Sequence, residues 1–373
     1  MSAAVLQVLP ALASGGVERG TLEIAEALLA AGFRALVASA GGALVADLEK
    51  LGAQHVTLPL ASKNPLCIWR NAAALAALVR AEEVQILHAR SRAPAWSALL
   101  AARRTGARFV TTWHGTYTES LPGKRHYNAV MARGDRVIAI SGFIAEHIRA
   151  RHPLSADRLR IIPRGVDPAR FDPATVEPDR VAALRRRWRV PPGRPVVMLP
   201  ARLTGWKGQA VLVEAMARLP GEAVALLVGG DKGREAYHAR LAELVAARQL
   251  EDRVLIVGHT PDMPAALLLA DVVVHASTEP EAFGRTVIEA QAMRRPVIAS
   301  DLGATRETVE DGVTGWRVPP GDPRALAAAI GRVLSLAEEE RAALGARARE
   351  AVLARYTTAA MQAATLAVYR ELL

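Results

Sequence analysis

Val272-Val-Val-His275-Ala-Ser-Thr-Glu279-Pro-Glu281-Ala-Phe283-Gly284-Arg285-Thr286-Val-Ile-Glu289-Ala290 is the stretch that sets the reading of this chain. The compact apolar run Val272–His275 predicts a buried strand. The residues after it are rich in Glu, Pro and Gly, as a loop requires. Arg285–Met293 then places Val287, Ile288, Ala290 and Met293 where a helix can pack them inward. Strand, loop and helix in that order are one unit of a parallel sheet. The open backbone N–H groups at such a helix start, with the helix dipole, favour a phosphate. Gly284 permits close approach of backbone to a ligand. Glu281 falls in the loop and Glu289 inside the helix, seven residues apart and the latter one turn beyond Arg285. A carboxylate such as Glu289 can accept a pair of hydrogen bonds from ribose hydroxyls. Read alone, both glutamates equally suit capping and a solvated surface.

The same alternation runs outward in both directions. Downstream, Val297–Ala299 predicts a strand and the tail from Pro323 is helical. Upstream, strands are expected at Val196–Leu199, Ala223–Val228 and Val254–Val257, with helices at Lys207–Arg218, Arg234–Gln249 and Met263–Ala270. Strands in the first half are expected at Val5–Leu9, Ala35–Ser39, Val56–Leu58, Ile86–His88, Phe109–Thr112 and Arg136–Ile140. Helices between them are expected at Glu18–Ala31 (closed by Gly32), Ala43–Lys50, Trp69–Arg80 and Pro94–Arg104. Proline and charge gather from Pro163 to Pro195 around a helix at Pro178–Trp188, the texture of an interdomain connection. The fold class expected is α/β, two doubly wound Rossmann-like domains, with a ligand cleft at the carboxyl ends of their strands.

Bulk properties agree with two cores. The chain has 373 residues, of which 51% are apolar, enough for two ordinary domains. A single cysteine, Cys67, excludes an internal disulfide and a cysteine-based metal site within one chain. The apolar start through Ser14 lacks a basic leader and reads better as a strand. No run of apolar residues is long enough to span a membrane. A cytoplasmic location is the natural expectation. The net charge is +10, and residues 1–188 carry all of it, with 25 Lys+Arg against 15 Asp+Glu. Such an excess attracts anionic headgroups or phosphorylated saccharides, or is spread over solvated faces. The cations lack aromatic interleaving, which argues against nucleic acid.

Other loops at strand ends carry candidate groups. Arg202 and Lys207 follow the strand Val196–Leu199, and two cations there suit a diphosphate. No Asp-x-Asp sequence occurs, so neither a cofactor nor a divalent metal is expected. Gly15-Gly16 follow the first strand and let its loop approach a donor phosphate or an acceptor. They equally suit a tight turn, since the Gly-x-Gly-x-x-Gly fingerprint is absent. Glu18 and Arg19 in the next turn, with Arg90 and Arg92 after Ile86–His88, are candidates for contact with an anionic acceptor. His114, after Phe109–Thr112, and His88 are candidates for a site or for structure. Ser141 reads as a helix N-cap.

The Glu281–Glu289 segment resembles the Glu-x7-Glu motif of family 4, the retaining glycosyltransferases of the GT-B fold. The resemblance continues through Ala290–Ser300, Gly303-Ala-Thr305-Arg306-Glu307, Asp311-Gly312, Gly315-Trp316 and Gly321-Asp322. It implies an N-terminal acceptor domain over residues 1–170 and a linker over 171–195. A nucleotide-sugar domain over 196–355 and a helix at 356–373 crossing back to the first domain complete the implied division. Arg202 and Lys207 would stabilise the leaving diphosphate, and Gly258 and His259 would border the base. Glu281 and the backbone of Phe283 and Gly284 would meet the sugar hydroxyls, Thr286 would belong to the donor site, Glu289 would meet the ribose, and His114 would stand beside the donor sugar. The implied activity is transfer of a hexose-type sugar from a UDP-sugar, or next a GDP-sugar, to a saccharide or lipid-linked acceptor. Lipopolysaccharide core and similar envelope glycans are the acceptors expected, with peripheral contact on the anionic inner membrane. An epimerase of the same fold, or a nucleotide-sugar-binding protein without turnover, would share these motifs.

Overall fold

A computed structural model describes every residue except Met1, Ser14, Thr118 and Lys232. Ser14, named above as the end of the apolar start, therefore lies outside the described residues. The chain divides into two compact units, Met1–Arg164 with Thr358–Leu373, and Gly165–Thr357.

The first unit holds seven strands: β1 (Ala4–Val8), β2 (Arg34–Ser39), β3 (Gln54–Thr57), β4 (Val84–Ala89), β5 (Arg108–Trp113), β6 (Arg136–Ala139) and β7 (Leu159–Ile161). They form one sheet in the order β3-β2-β1-β4-β5-β6-β7, and the paired strands run parallel. β1 is apolar almost throughout (Ala4, Val5, Leu6, Val8) because helices cover both its faces, so it takes a central place. The chain builds outward from β1 in one direction and then returns to lay β4 on its other side. The turning point between β1 and β4 leaves the loops after these two strands facing each other. Val5, Leu28, Val37, Ile86 and Val110 fill one side of the sheet. The closing helix Thr358–Arg370 packs on the helix Gly16–Ala30 and adds Met361, Leu366 and Tyr369 to the same core.

The second unit repeats the plan with β8 (Val196–Pro200), β9 (Val224–Val228), β10 (Val254–Gly258), β11 (Val272–His275), β12 (Val297–Ser300) and β13 (Trp316–Val318). The order is β10-β9-β8-β11-β12-β13, so its turning point lies between β8 and β11. The doubly wound α/β class read from the sequence holds in both units.

Several boundaries differ from expectation for identifiable reasons. The helix expected from Trp69 starts at Pro65, where Asn64 Oδ1 accepts from Leu66 N at 2.9 Å and proline occupies the first turn. The single helix expected over Lys207–Arg218 is a one-turn 3-10 segment, Gly205–Lys207, followed by a helix Gln209–Met216. Gly208 separates them at φ +77°, and a Cβ there would stand 1.9 Å from the Ala276 carbonyl oxygen. Only glycine lets the loop after β8 lie so close to the loop after β11. Residues 171–195, expected as a linker, lie within the second unit. Their helix Pro178–Arg187 is tied to the start of helix Met263–Leu269 by Arg180 on Asp262 at 2.6 Å. The short strands β7 and β13 were not anticipated; each has three residues and depends on a parallel neighbour.

Candidate active site

In the second unit the ends of the strands on either side of the turning point bring charged side chains together. Lys207 ends the 3-10 turn after β8, and Glu281 lies in the loop after β11. The two side chains meet in an ion pair in which both are about 15% exposed. His275, the last residue of β11, adds Nε2 to the same carboxylate oxygen at 3.3 Å. An ionised carboxylate only accepts, so His275 must donate from Nε2. Its buried Nδ1 has no partner among the described residues. Burial raises the Glu281 carboxyl, but the hydrogen bond from His275 and the charge of Lys207 outweigh it and hold the group down to about 2, from 4.5. Glu281 is therefore a fixed anion across the neutral range.

The loop carrying Glu281 is itself anchored. Its backbone bridges to Gly303, and Ala304 N donates to the Glu281 carbonyl at 3.0 Å. Gly284 takes φ +82° immediately before the helix Arg285–Ala292. A Cβ on Gly284 would lie 3.6 Å from Glu281 Cγ and 3.7 Å from His275 Nε2. Glu281, His275, Lys207 and the open start of this helix thus converge on one point. Phe283 is buried and packs edge-on against Tyr356, which fixes the backbone at Gly284 rather than offering a ring to a ligand. Thr286 sits in the first helical turn. Glu289 lies on the same helix 3.6 Å from Arg285, as its four-residue spacing requires. Arg202 is exposed in the loop after β8, its carbonyl accepting from Gln209 Nε2. Gly258, at φ +73°, closes β10, and His259 follows it on the surface. Among the described residues no three His, Cys, Asp or Glu side chains are grouped to hold a metal ion.

The first unit contains a second convergence. His114 follows β5, and its Nδ1 lies 2.9 Å from Arg164 Nη2. Arginine can only donate, so Nδ1 accepts and a neutral His114 carries its proton on Nε2. That Nε2 is buried and has no partner among the described residues. Burial, then the charges of Arg164 and Arg90 and the neighbouring His88, push the His114 ring well below its usual pKa. His114 is a neutral N–H donor. Arg164 also donates to the carbonyl of Gly16, which opens the helix Gly16–Ala30 after the loop at Gly15. Gly20, one turn on, makes room for the cations: a Cβ there would stand 2.4 Å from Arg164 Nη1 and 3.0 Å from Arg90 Nη2.

Of the acceptor candidates, Arg90 is 2% exposed and held by Gln7 Oε1 at 2.9 Å. Arg92 is engaged by Asn128 and lies 4.2 Å above the Tyr117 ring. Glu18 folds back towards Gly15, and Arg19 is exposed. His88 is buried between Tyr369 Oη and Thr112 Oγ1, a structural placement. Ser141 caps its helix through Ile144 N. The sequence reading missed His275, Arg164 and Gly20. A histidine ending a strand and an arginine at the head of a proline-rich segment announce no partner. Gly15 and Gly16 were read as allowing close approach, and Gly20, one turn further on, continued that signal without being read.

The family model described as "Glycosyl transferases group 1" matches residues 181–351, and "Glycosyltransferase Family 4" matches residues 14–170. The D-inositol 3-phosphate glycosyltransferase of Xylanimonas cellulosilytica is 36% identical over 228 residues, 60% of this chain and 54% of that protein. The chain spans about half the length of the curated relatives of this kind that it matches. Among solved structures, a glycosyltransferase from Rickettsia africae ESF-5 is similar with a TM-score of 0.93 and 38% identity, over 100% of this chain and 98% of that one. Anabaena Alr3699/HepE in complex with UDP and glucose is similar with a TM-score of 0.88 and 25% identity, over 99% and 100%.

Proposed function

From the premise that this chain belongs to the family 4 glycosyltransferases of the GT-B fold, we propose that it transfers a hexose-type sugar from a nucleotide diphosphate donor with retention of configuration and without a metal ion. One observation carries the reading: Lys207, His275, Glu281 and the helix start at Gly284 converge beside the turning point of the second sheet. A diphosphate approaching that helix start meets N–H groups, the dipole, and the cations Lys207 and Arg202. UDP is the favoured nucleotide, supported by the similarity to HepE, whose structures hold UDP or UDP-glucose.

The acceptor hydroxyl attacks the anomeric carbon on the face from which the diphosphate leaves. The bond from carbon to phosphate oxygen breaks, and a donor phosphate oxygen takes the hydroxyl proton. Lys207 and Arg202 stabilise the charge that grows on the diphosphate. Glu281 already accepts from Lys207 and His275, which suits orienting sugar hydroxyls better than a nucleophilic attack. In the first unit His114, accepting from Arg164 at Nδ1, keeps its Nε2–H as a neutral donor. The acceptor is a saccharide or lipid-linked glycan of the cell envelope, such as lipopolysaccharide core, met on the cytoplasmic face of an anionic membrane. The excess of cations in residues 1–188 supports that choice.

The test is product analysis with a panel of UDP- and GDP-sugars and glycan acceptors, with and without EDTA. NMR should show the donor's anomeric configuration in the product and an unchanged rate under EDTA. An inverted product, loss of rate with EDTA, or isomerisation of the donor without transfer would overturn the proposal.

A further inference from the structure

Leu66 and Trp69 are 70% and 60% exposed, the most exposed aliphatic and aromatic side chains among the large hydrophobics. They stand three residues apart, and so on one face, at the start of the helix Pro65–Ala81. Contiguous exposed apolar side chains rimmed by polar groups mark interaction surfaces. Cations frame the pair. Arg70 is four residues from Leu66, Lys63 precedes the helix by two residues, and both are exposed. Arg104, from the neighbouring helix Arg92–Thr105, lies 5.6 Å over the Trp69 ring, and Arg103 beside it is exposed. Acids are nearly absent from this region: Leu51–Thr118 contains eight Lys and Arg but only Glu82 and Glu83.

We infer that the face formed by Leu66, Trp69, Lys63, Arg70 and Arg104 docks on an anionic lipid bilayer. A bilayer surface answers both halves of the pattern. Headgroup phosphates meet the cations, Trp69 takes the interfacial level that its amphipathic ring prefers, and Leu66 reaches the acyl boundary. A second copy of the chain would bring the same cations into a two-fold contact and be repelled. A nucleic acid would leave Leu66 without an apolar partner. Among the described residues no helix is long and apolar enough to cross a membrane, and the contact inferred is a peripheral one. The inference rests on the reading that the acceptor is met at a membrane, and it names the surface that meets it.

The experiment is co-sedimentation of the full chain with phosphatidylcholine vesicles, with and without a third of phosphatidylglycerol, at one salt concentration. The parent should pellet only with the anionic vesicles, and emission unique to Trp69 (parent minus Trp69→Phe) should shift to the blue. Lys63→Gln/Arg70→Gln should weaken binding about 25-fold, near fivefold per cation. Leu66→Ser/Trp69→Ser should weaken it at least about tenfold, while both variants bind nucleotide diphosphate like the parent. A parent that stays in the supernatant, variants that pellet like the parent, or an unshifted Trp69 would overturn the inference. So would a dimer in light scattering that the same substitutions abolish. Vesicle binding by a parent that binds no nucleotide would leave this surface standing and remove the proposed donor chemistry instead.

Discussion

Replacing Glu281 by Gln removes the anion that Lys207 and His275 share. The carboxyl is held at about 2 in the folded chain against 4.5 unperturbed. Each pKa unit corresponds to about 1.4 kcal/mol, so the charge contributes about 3 kcal/mol to folding at pH 7. The folded value is depressed, so the contribution is complete above the unfolded value and disappears as pH falls from about 4.5 towards 2. The Glu281→Gln amide also sets its N–H groups near two donors, which does nothing to restore the loss. Urea unfolding at pH 7 should show the variant about 3 kcal/mol less stable, and at pH 3 the gap should narrow to about 1 kcal/mol. The same substitution frees Lys207 for phosphate. Binding of the nucleotide diphosphate should therefore hold or tighten while transfer falls about a hundredfold. A gap below about 0.5 kcal/mol at pH 7, or one that does not narrow in acid, would refute the electrostatic account. Loss of nucleotide binding in step with transfer would refute the role assigned to Glu281.

Other perturbations probe separate parts of the site. Arg164→Gln removes one of the charges that keep His114 neutral, with Arg90, His88 and burial still opposing its protonation. The acid limb of the kcat/KM profile should move to higher pH, and nitrogen-15 NMR should show loss of the single Nε2–H tautomer. Arg164→Lys, still only a donor, should restore most of both. An unchanged profile and tautomer in Arg164→Gln would contradict the arrangement. Gly208→Ala forces a Cβ against the Ala276 carbonyl at a backbone angle that side chains resist. It should cost about 2 kcal/mol or more in urea unfolding and push Lys207 away from Glu281. Unaltered stability and transfer would show that the two loops do not need this close approach.

The fold was legible where pattern is local. Val272–His275, the loop and the helix after it could be read because a buried parallel strand is apolar throughout and a helix start needs Gly or a cap. The charged edge of the second sheet was legible in part: Arg202, Lys207 and Glu281 stood out as charges in strand-end loops, and Glu289 as a carboxylate inside the helix that follows. What stayed hidden depends on partners remote in sequence. Lys207 read as a helix start because nothing local says that Gly208 must clear the Ala276 carbonyl. His275 read as the end of a strand, although its ring orients the carboxylate of Glu281. Arg164 read as the beginning of a connection, and its partner His114 is fifty positions away. β7 and β13 are too short to carry a pattern and exist through neighbours. Conversely, Asn64-Pro65 was an available start signal, and the helix was nonetheless expected four residues late.

The donor site in the second unit is the central claim, and titration calorimetry with UDP, GDP and ADP tests it most directly. The parent should be measured beside Glu289→Ala and Arg202→Ala/Lys207→Ala. The account predicts that one nucleotide, UDP first, binds the parent and that both variants lose it. No binding by any of the three, or variants that bind like the parent, would contradict it.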